Sequence, residues 1–150
     1  MKFVKFVDKK NAIIPGKEIA GFQLGCSINE LQKKINGNSY VIEKRVNTTV
    51  INFENFSFFI SDLNNKVFQI TVGHNFDGKF LNKIGIGSTL QDIEDYIGKW
   101  EEELDVYILP QFKGICFELS DNGIDDEWIE NQMPIEWISI YDFNLKDEIN

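Results

Sequence analysis

A hydrolytic or group-transfer centre in this chain would have to be built on His74, because the sequence contains one histidine. Its nucleophile would be Ser61, Cys26 or Cys116, since those are the side chains a neighbouring imidazole could activate. His74 follows Gly73 at the end of an apolar alternating run, and nothing local ties it to a nucleophile or an orienting acid; it reads as a turn residue. One histidine and two cysteines 90 positions apart (116 − 26) do not make a clustered zinc set either. The run Asp121-Asn122-Gly123-Ile124-Asp125-Asp126-Glu127 has the flavour of a calcium loop. It lacks the glycine at the sixth position and the spacing to a bidentate glutamate that such a loop requires. Glu101, Glu102 and Glu103 are adjacent in sequence, so their carboxylates splay apart and do not flank a bond as glycosidase acids do. The residues therefore predict no catalytic group, no metal, no cofactor and no enzymatic activity.

What the same stretches offer instead is an interaction surface. Trp100 precedes Glu101, Glu102, Glu103 and Asp105; Trp128 lies among Asp121, Asp125, Asp126, Glu127 and Glu130. Tryptophan is a preferred interface anchor, and carboxylates around it steer a partner of opposite sign. The net charge of −9 is unevenly distributed. Residues 1–90 carry 12 Lys and Arg against 7 acids, whereas residues 91–150 carry 3 against 17, a local balance of −14. A field of that sign repels nucleic acid phosphates and attracts a basic partner. These eleven residues are the expected partner-binding set.

The elements that must position them are signalled by a stretch that occurs twice. Residues 83–98, slid back by 62 positions, lay Gly87 on Gly25, Thr89 on Ser27, Leu90 on Ile28, Asp92 on Glu30, Ile93 on Leu31 and Ile97 on Ile35 without a gap. In each copy two alternating apolar residues, Phe22 and Leu24 or Ile84 and Ile86, read as a short strand. Gly25 or Gly87 then makes the tight turn, where a positive φ costs glycine nothing. Ser27 with Glu30, and Thr89 with Asp92, predict capping boxes, and the following apolar spacing predicts one helix per copy. No Gly-Lys-Ser/Thr follows either glycine, so a phosphate-binding loop is excluded.

Downstream of each helix the chain alternates as β-strands do, and 13 Phe with abundant Ile favour sheet. The expected strands are 40–42, 46–53, 56–60 and 67–72 in the first half, then 103–109, 115–119 and 135–141 in the second. Met1–Val7 also reads as a strand, and 120–134 as a long acidic loop. A chain of 150 residues predicts a single domain, 1–150. The fold expected is α+β: two tandem repeats, near 19–73 and 82–143, each a helix packed on an antiparallel β-meander, with the sheets joined into one layer. No segment reaches the ~20 apolar residues of a membrane span. The N-terminus lacks secretory-signal character and the cysteines read as reduced thiols, so the expected location is the cytoplasm.

The Gly, hydroxyl cap, apolar and acidic positions at Gly25 to Leu31 and Gly87 to Ile93 resemble the tandem-repeat fold of β-lactamase inhibitor proteins and SmpA/OmlA-type domains. The likeness covers roughly residues 19–143. It departs in having no lipobox cysteine and no equivalent disulfides, which argues against secretion or lipid anchoring. An acidic chain rich in Asn, Lys, Ile and Phe and without chemistry also looks like a bacterial immunity protein of a contact-dependent or polymorphic toxin system. That resemblance implies a cognate toxin as partner, with a basic nuclease domain, and no nucleic acid or membrane partner. The alternative reading is a small-ligand-binding or housekeeping module that uses the sheet face.

Overall fold

The computed structural model describes residues 11–120 and 129–144. Three two-residue strands open the described chain: β1 (Ile13–Ile14), β2 (Glu18–Ile19) and β3 (Phe22–Gln23). Helix α1 (Ile28–Lys34) precedes a meander of β4 (Val41–Arg45), β5 (Thr48–Phe53), β6 (Phe56–Ser61) and β7 (Val67–Val72). Helix α2 (Leu90–Tyr96) precedes β8 (Glu101–Glu103), β9 (Val106–Leu109) and β10 (Phe112–Leu119); a 3-10 turn, Glu130–Gln132, then leads into β11 (Ile135–Tyr141).

The helix starts form as the residue types predict. Ser27 Oγ accepts from Glu30 N at 3.1 Å and Glu30 Oε1 accepts from Ser27 N at 2.8 Å. Thr89 and Asp92 make the same reciprocal pair at 3.1 and 2.9 Å. Gly25 and Gly87 adopt φ of 85° and 94°, which lets the chain turn directly into each cap. The backbone then ties each turn to a later strand: Gly25 N donates to Val67 O and Gly87 N to Ile135 O.

The sheet corrects the expected fold class. The molecule is mostly β, not an α+β pair of helix-plus-meander repeats. One continuous antiparallel sheet of eight strands runs in the order β4-β5-β6-β7-β11-β10-β9-β8, and β1-β2-β3 form a second, three-stranded sheet. Each helix has seven residues and so is ~10 Å long, whereas eight strands at ~4.8 Å spacing span roughly 34 Å. Two such helices cannot each cover a meander. The three-stranded sheet also has no named-strand counterpart ahead of α2, where Phe80 and Ile84 form an isolated bridge. Among the described residues no helix is long and apolar enough to cross a membrane.

Tight hairpins account for the continuity of the sheet. Pairing of Arg45 with Thr48, Phe53 with Phe56, Glu103 with Val106 and Leu109 with Phe112 leaves two-residue loops between the strands. Leu104 and Asp105 both sit at positive φ, 50° and 70°, the twist a primed turn needs. That hairpin splits the run 103–109, which the alternation predicts as one strand, into the end of β8 and all of β9.

The core is built across five strands. Ile51, Phe58, Ile70, Ile140 and Ile115 are successive cross-strand partners, all on one face and all 0% exposed. Leu31, Leu90 and Ile93 from the helices join the same apolar cluster. The rings of Phe22, Phe56 and Phe58 meet at 5.0–5.5 Å, locking β3 onto β6. The opposite face carries smaller and more polar partners, with Thr71 Oγ1 and Ser139 Oγ 2.8 Å apart across β7 and β11.

Candidate partner-binding surface

Strand β8 ends the eight-stranded sheet, so one row of its backbone groups faces away from the ladder. Its three residues, Glu101, Glu102 and Glu103, are all exposed, as are Leu104 and Asp105 in the turn that follows. Leu104 is 88% exposed, an apolar side chain presented to solvent at the tip of an acidic hairpin. Five adjacent predicted positions, counting Trp100, are thus brought to one edge, but Trp100 is not an open anchor there. It is half-buried, packs edge-on against Tyr107 at 5.4 Å and donates its indole N–H to Glu94 Oε2 at 2.9 Å.

Glu130 is also committed inward. Its carboxylate accepts from the Tyr107 hydroxyl at 2.5 Å, fastening the 3-10 turn beside β9. Burial, followed by this hydrogen bond and the charge of Glu130, pushes the Tyr107 phenol far above its ordinary value. The remaining predicted positions, Asp121, Asp125, Asp126, Glu127 and Trp128, lie outside the described residues. The expected strand Met1–Val7 does too.

The residues weighed for catalysis are not assembled. His74 is exposed and makes no hydrogen bond among the described residues. Ser61 Oγ accepts from Leu63 N within a turn at 3.2 Å. Burial, then the charge of Glu30, raises the Cys26 thiol above its ordinary value, which opposes thiolate chemistry. Among the described residues no three His, Cys, Asp or Glu side chains are grouped to hold a metal ion.

A second feature was not singled out from the sequence. Trp137, on β11, is 40% exposed and lines an open cleft of about 500 Å³ with Asn52, Glu54, Asn55, Ser57, His74 and Asn75. Its ring packs against Gly73: a Cβ at that glycine would come within 2.2 Å of the indole. Glu118 is the direct cross-strand partner of Trp137 on β10. Burial, then the charge of Glu136, raises the Glu118 carboxyl above the usual carboxylate value. The sequence signal for this cleft was faint, because Gly73 and Trp137 are 64 residues apart (137 − 73) and meet only once β7 pairs with β11.

No family model and no curated protein matches the chain. Among solved structures it is similar to the uncharacterized protein yfeY from Escherichia coli, at 10% identity and a TM-score of 0.53. That match covers 85% of this chain and 95% of the other. A cysteine-rich secretory protein from Staphylococcus aureus is similar at 12% identity and a TM-score of 0.49, over 91% of this chain and 51% of that one. At these identities the likeness to yfeY is one of fold, and a fold does not carry a function.

Proposed function

We propose that this chain acts by binding rather than by catalysis, as a cytoplasmic immunity protein that neutralises the basic nuclease domain of a cognate toxin. The observation that supports the reading most is the acidic hairpin on β8, the last strand of the sheet among the described residues. Glu101, Glu102, Glu103 and Asp105 stand exposed in the half of the chain whose formal balance is −14. Charges on an edge strand keep it from pairing with stray apolar strands, and they also set up the field that a basic partner senses at a distance. Leu104, at the tip of the same hairpin, supplies exposed apolar area next to those charges.

The test begins with the product of the reading frame adjacent to this one. Its toxin domain is purified, mixed with the full chain, and the association rate is measured across a salt series. Association should be fast at low salt and fall as the Debye length shortens from ~30 Å at 0.01 M to ~8 Å at 0.15 M. Replacing Glu101, Glu102 and Glu103 together by Lys should slow association at low salt by roughly tenfold or more, because reversal turns attraction into repulsion. Absence of a complex, or association indifferent to both salt and the triple reversal, overturns the reading.

A further inference from the structure

One row of the core runs out to solvent. The cross-strand line Ile115, Ile140, Ile70, Phe58 and Ile51 continues by one more pairing to Ile42 on β4. The first five are fully buried, whereas Ile42 is 48% exposed. Strand β4 stands at the opposite end of the strand order from β8, and each of its five residues is exposed. Val41 is 66% exposed, and Val46, in the turn to β5, is 89% exposed. Three β-branched aliphatic side chains are thus presented within residues 41–46.

Charged side chains on an outer strand normally guard it against pairing. Here the cations are drawn back over the sheet. Lys44 Nζ donates to Thr49 Oγ1 on β5 at 2.7 Å and to Asp62 Oδ1, just beyond β6, at 3.3 Å. The Arg45 guanidinium lies 5.7 Å from the centre of the Phe59 ring on β6, and its Nε donates to Glu43 at 2.9 Å. These contacts with β5 and β6 hold both cations away from the outer side of β4. Val41, Ile42 and Val46 remain exposed along a strand whose outer backbone groups face away from β5.

We propose that β4 pairs antiparallel with β4 of a second copy, about a two-fold axis at Lys44, so that two eight-stranded sheets join edge to edge. The strand is complementary to itself in that register. Ile42 stands opposite Val46 of the other copy, which carries the apolar row across the axis, and Glu43 stands opposite Arg45 at both symmetric positions. Lys44 meets its own counterpart, but each is tied to its own Asp62. Moving the axis to Glu43 would set Glu43 against itself and Ile42 against Lys44, so the sequence selects one register. The match of apolar with apolar and acid with base comes from β4 alone, which is why the occupant is a second copy. A two-fold contact of this kind closes on itself. Residues 41–46 on each side bury less than the ~1,200 Å² of a standard interface, so the dimer is weak and concentration-dependent. Both β8 hairpins stay at the outer ends of the joined sheet, and the pairing stands independently of the acidic-hairpin reading.

The test is sedimentation equilibrium of the full chain from ~10 µM to ~1 mM, with amide NMR spectra recorded over the same dilution series. A monomer–dimer equilibrium is expected, with dilution shifts concentrated on residues 41–46 and absent from residues 101–105. Glu43→Arg and Arg45→Glu each set like charges opposite one another at both symmetric positions and should weaken the dimer at least about fivefold. The double exchange Glu43→Arg/Arg45→Glu restores opposite charges and should recover the parent affinity to within about twofold. Urea midpoints of the three variants should stay near the parent value, since exposed ion pairs contribute little to stability. A chain that remains monomeric at ~1 mM overturns the proposal, as do open-ended assemblies of the kind that β4 on β8 of the next copy would build. Dilution shifts that lie outside β4 overturn it as well. So does a dimer indifferent to both single reversals, or one that the double exchange fails to restore.

Discussion

Replacing Gly73 by alanine isolates the contact that shapes the Trp137 cleft. Gly73 is buried and its φ lies outside the left-handed region, so its backbone accepts an alanine without strain. The obstacle is the indole: a Cβ would stand 2.2, 2.5 and 3.1 Å from three of its atoms, where ordinary contacts begin near 3.4 Å. The ring must therefore retreat by about an ångström or rotate off its rotamer, and overpacking of this kind costs ~1–3 kcal/mol. Trp137 can swing towards solvent, which places the expected cost in the lower half of that range, at ~1–2 kcal/mol. In a Trp137→Ala background the obstacle is gone, and the same substitution should be neutral or stabilise by up to ~1 kcal/mol through the unfolded chain. The four proteins form a double-mutant cycle, read by urea unfolding and far-ultraviolet circular dichroism, with a coupling energy of at least ~1 kcal/mol expected. If Gly73→Ala costs the same in both backgrounds, the ring does not explain the glycine and the bracing of Trp137 is refuted.

Other contacts of the fold give further expected outcomes. Ser27→Ala and Thr89→Ala should each lower stability by ~1 kcal/mol, since each removes the hydroxyl half of a formed capping box; unchanged urea midpoints would count against both caps. Phe58→Ala, at the fully buried crossing of the Ile51–Ile115 row with the Phe22 and Phe56 rings, should cost ~3–5 kcal/mol, measured as a fall in urea midpoint at constant slope. Burial and Glu136 raise the Glu118 carboxyl, so the folded chain holds that proton more tightly than the unfolded chain does. Its stabilising contribution is present below the unfolded carboxylate range and is lost as pH rises through the raised value. Glu118→Gln should accordingly raise the Tm near pH 7 and leave it unchanged near pH 3; an equal shift at both pH values would remove the electrostatic cause. By contrast Glu30, held below the usual range first by the Ser27 backbone N–H, contributes stability above its unfolded value that is lost as pH falls through the lowered one. Glu30→Gln should therefore reduce the Tm at neutral pH more than at acid pH.

The sequence by itself determined what depends on neighbours within a few positions. Ser27 with Glu30 and Thr89 with Asp92 each cap a helix because the reciprocal bonds span three residues and need nothing from the rest of the chain. Phe56 to Ser61 and Val67 to Val72 alternate, and they became β6 and β7 because a half-buried pleat selects that period directly. The charge division was legible too, being a property of composition along the chain. Tertiary structure alone decided the rest. The alternation in 135–141 says strand, but not that β11 pairs with β7, which is what joins four strands on each side into one sheet. The expected α+β repeats failed at that scale, since periodicity finds helices without stating how much of a sheet seven residues can cover. Leu104-Asp105 turns the acidic hairpin although Leu104 is not a usual turn former for that geometry, so β8 emerged from what read as loop and strand. Trp100 and Trp137 illustrate the same division. Both stand in acidic surroundings in the sequence, and only the packing of Tyr107 on one and Gly73 under the other decides which ring is occupied and which is offered to solvent. Local chemistry is read from residue types because its distances are set by the backbone; long-range partners are set by which faces must be buried together, and a linear sequence does not state that.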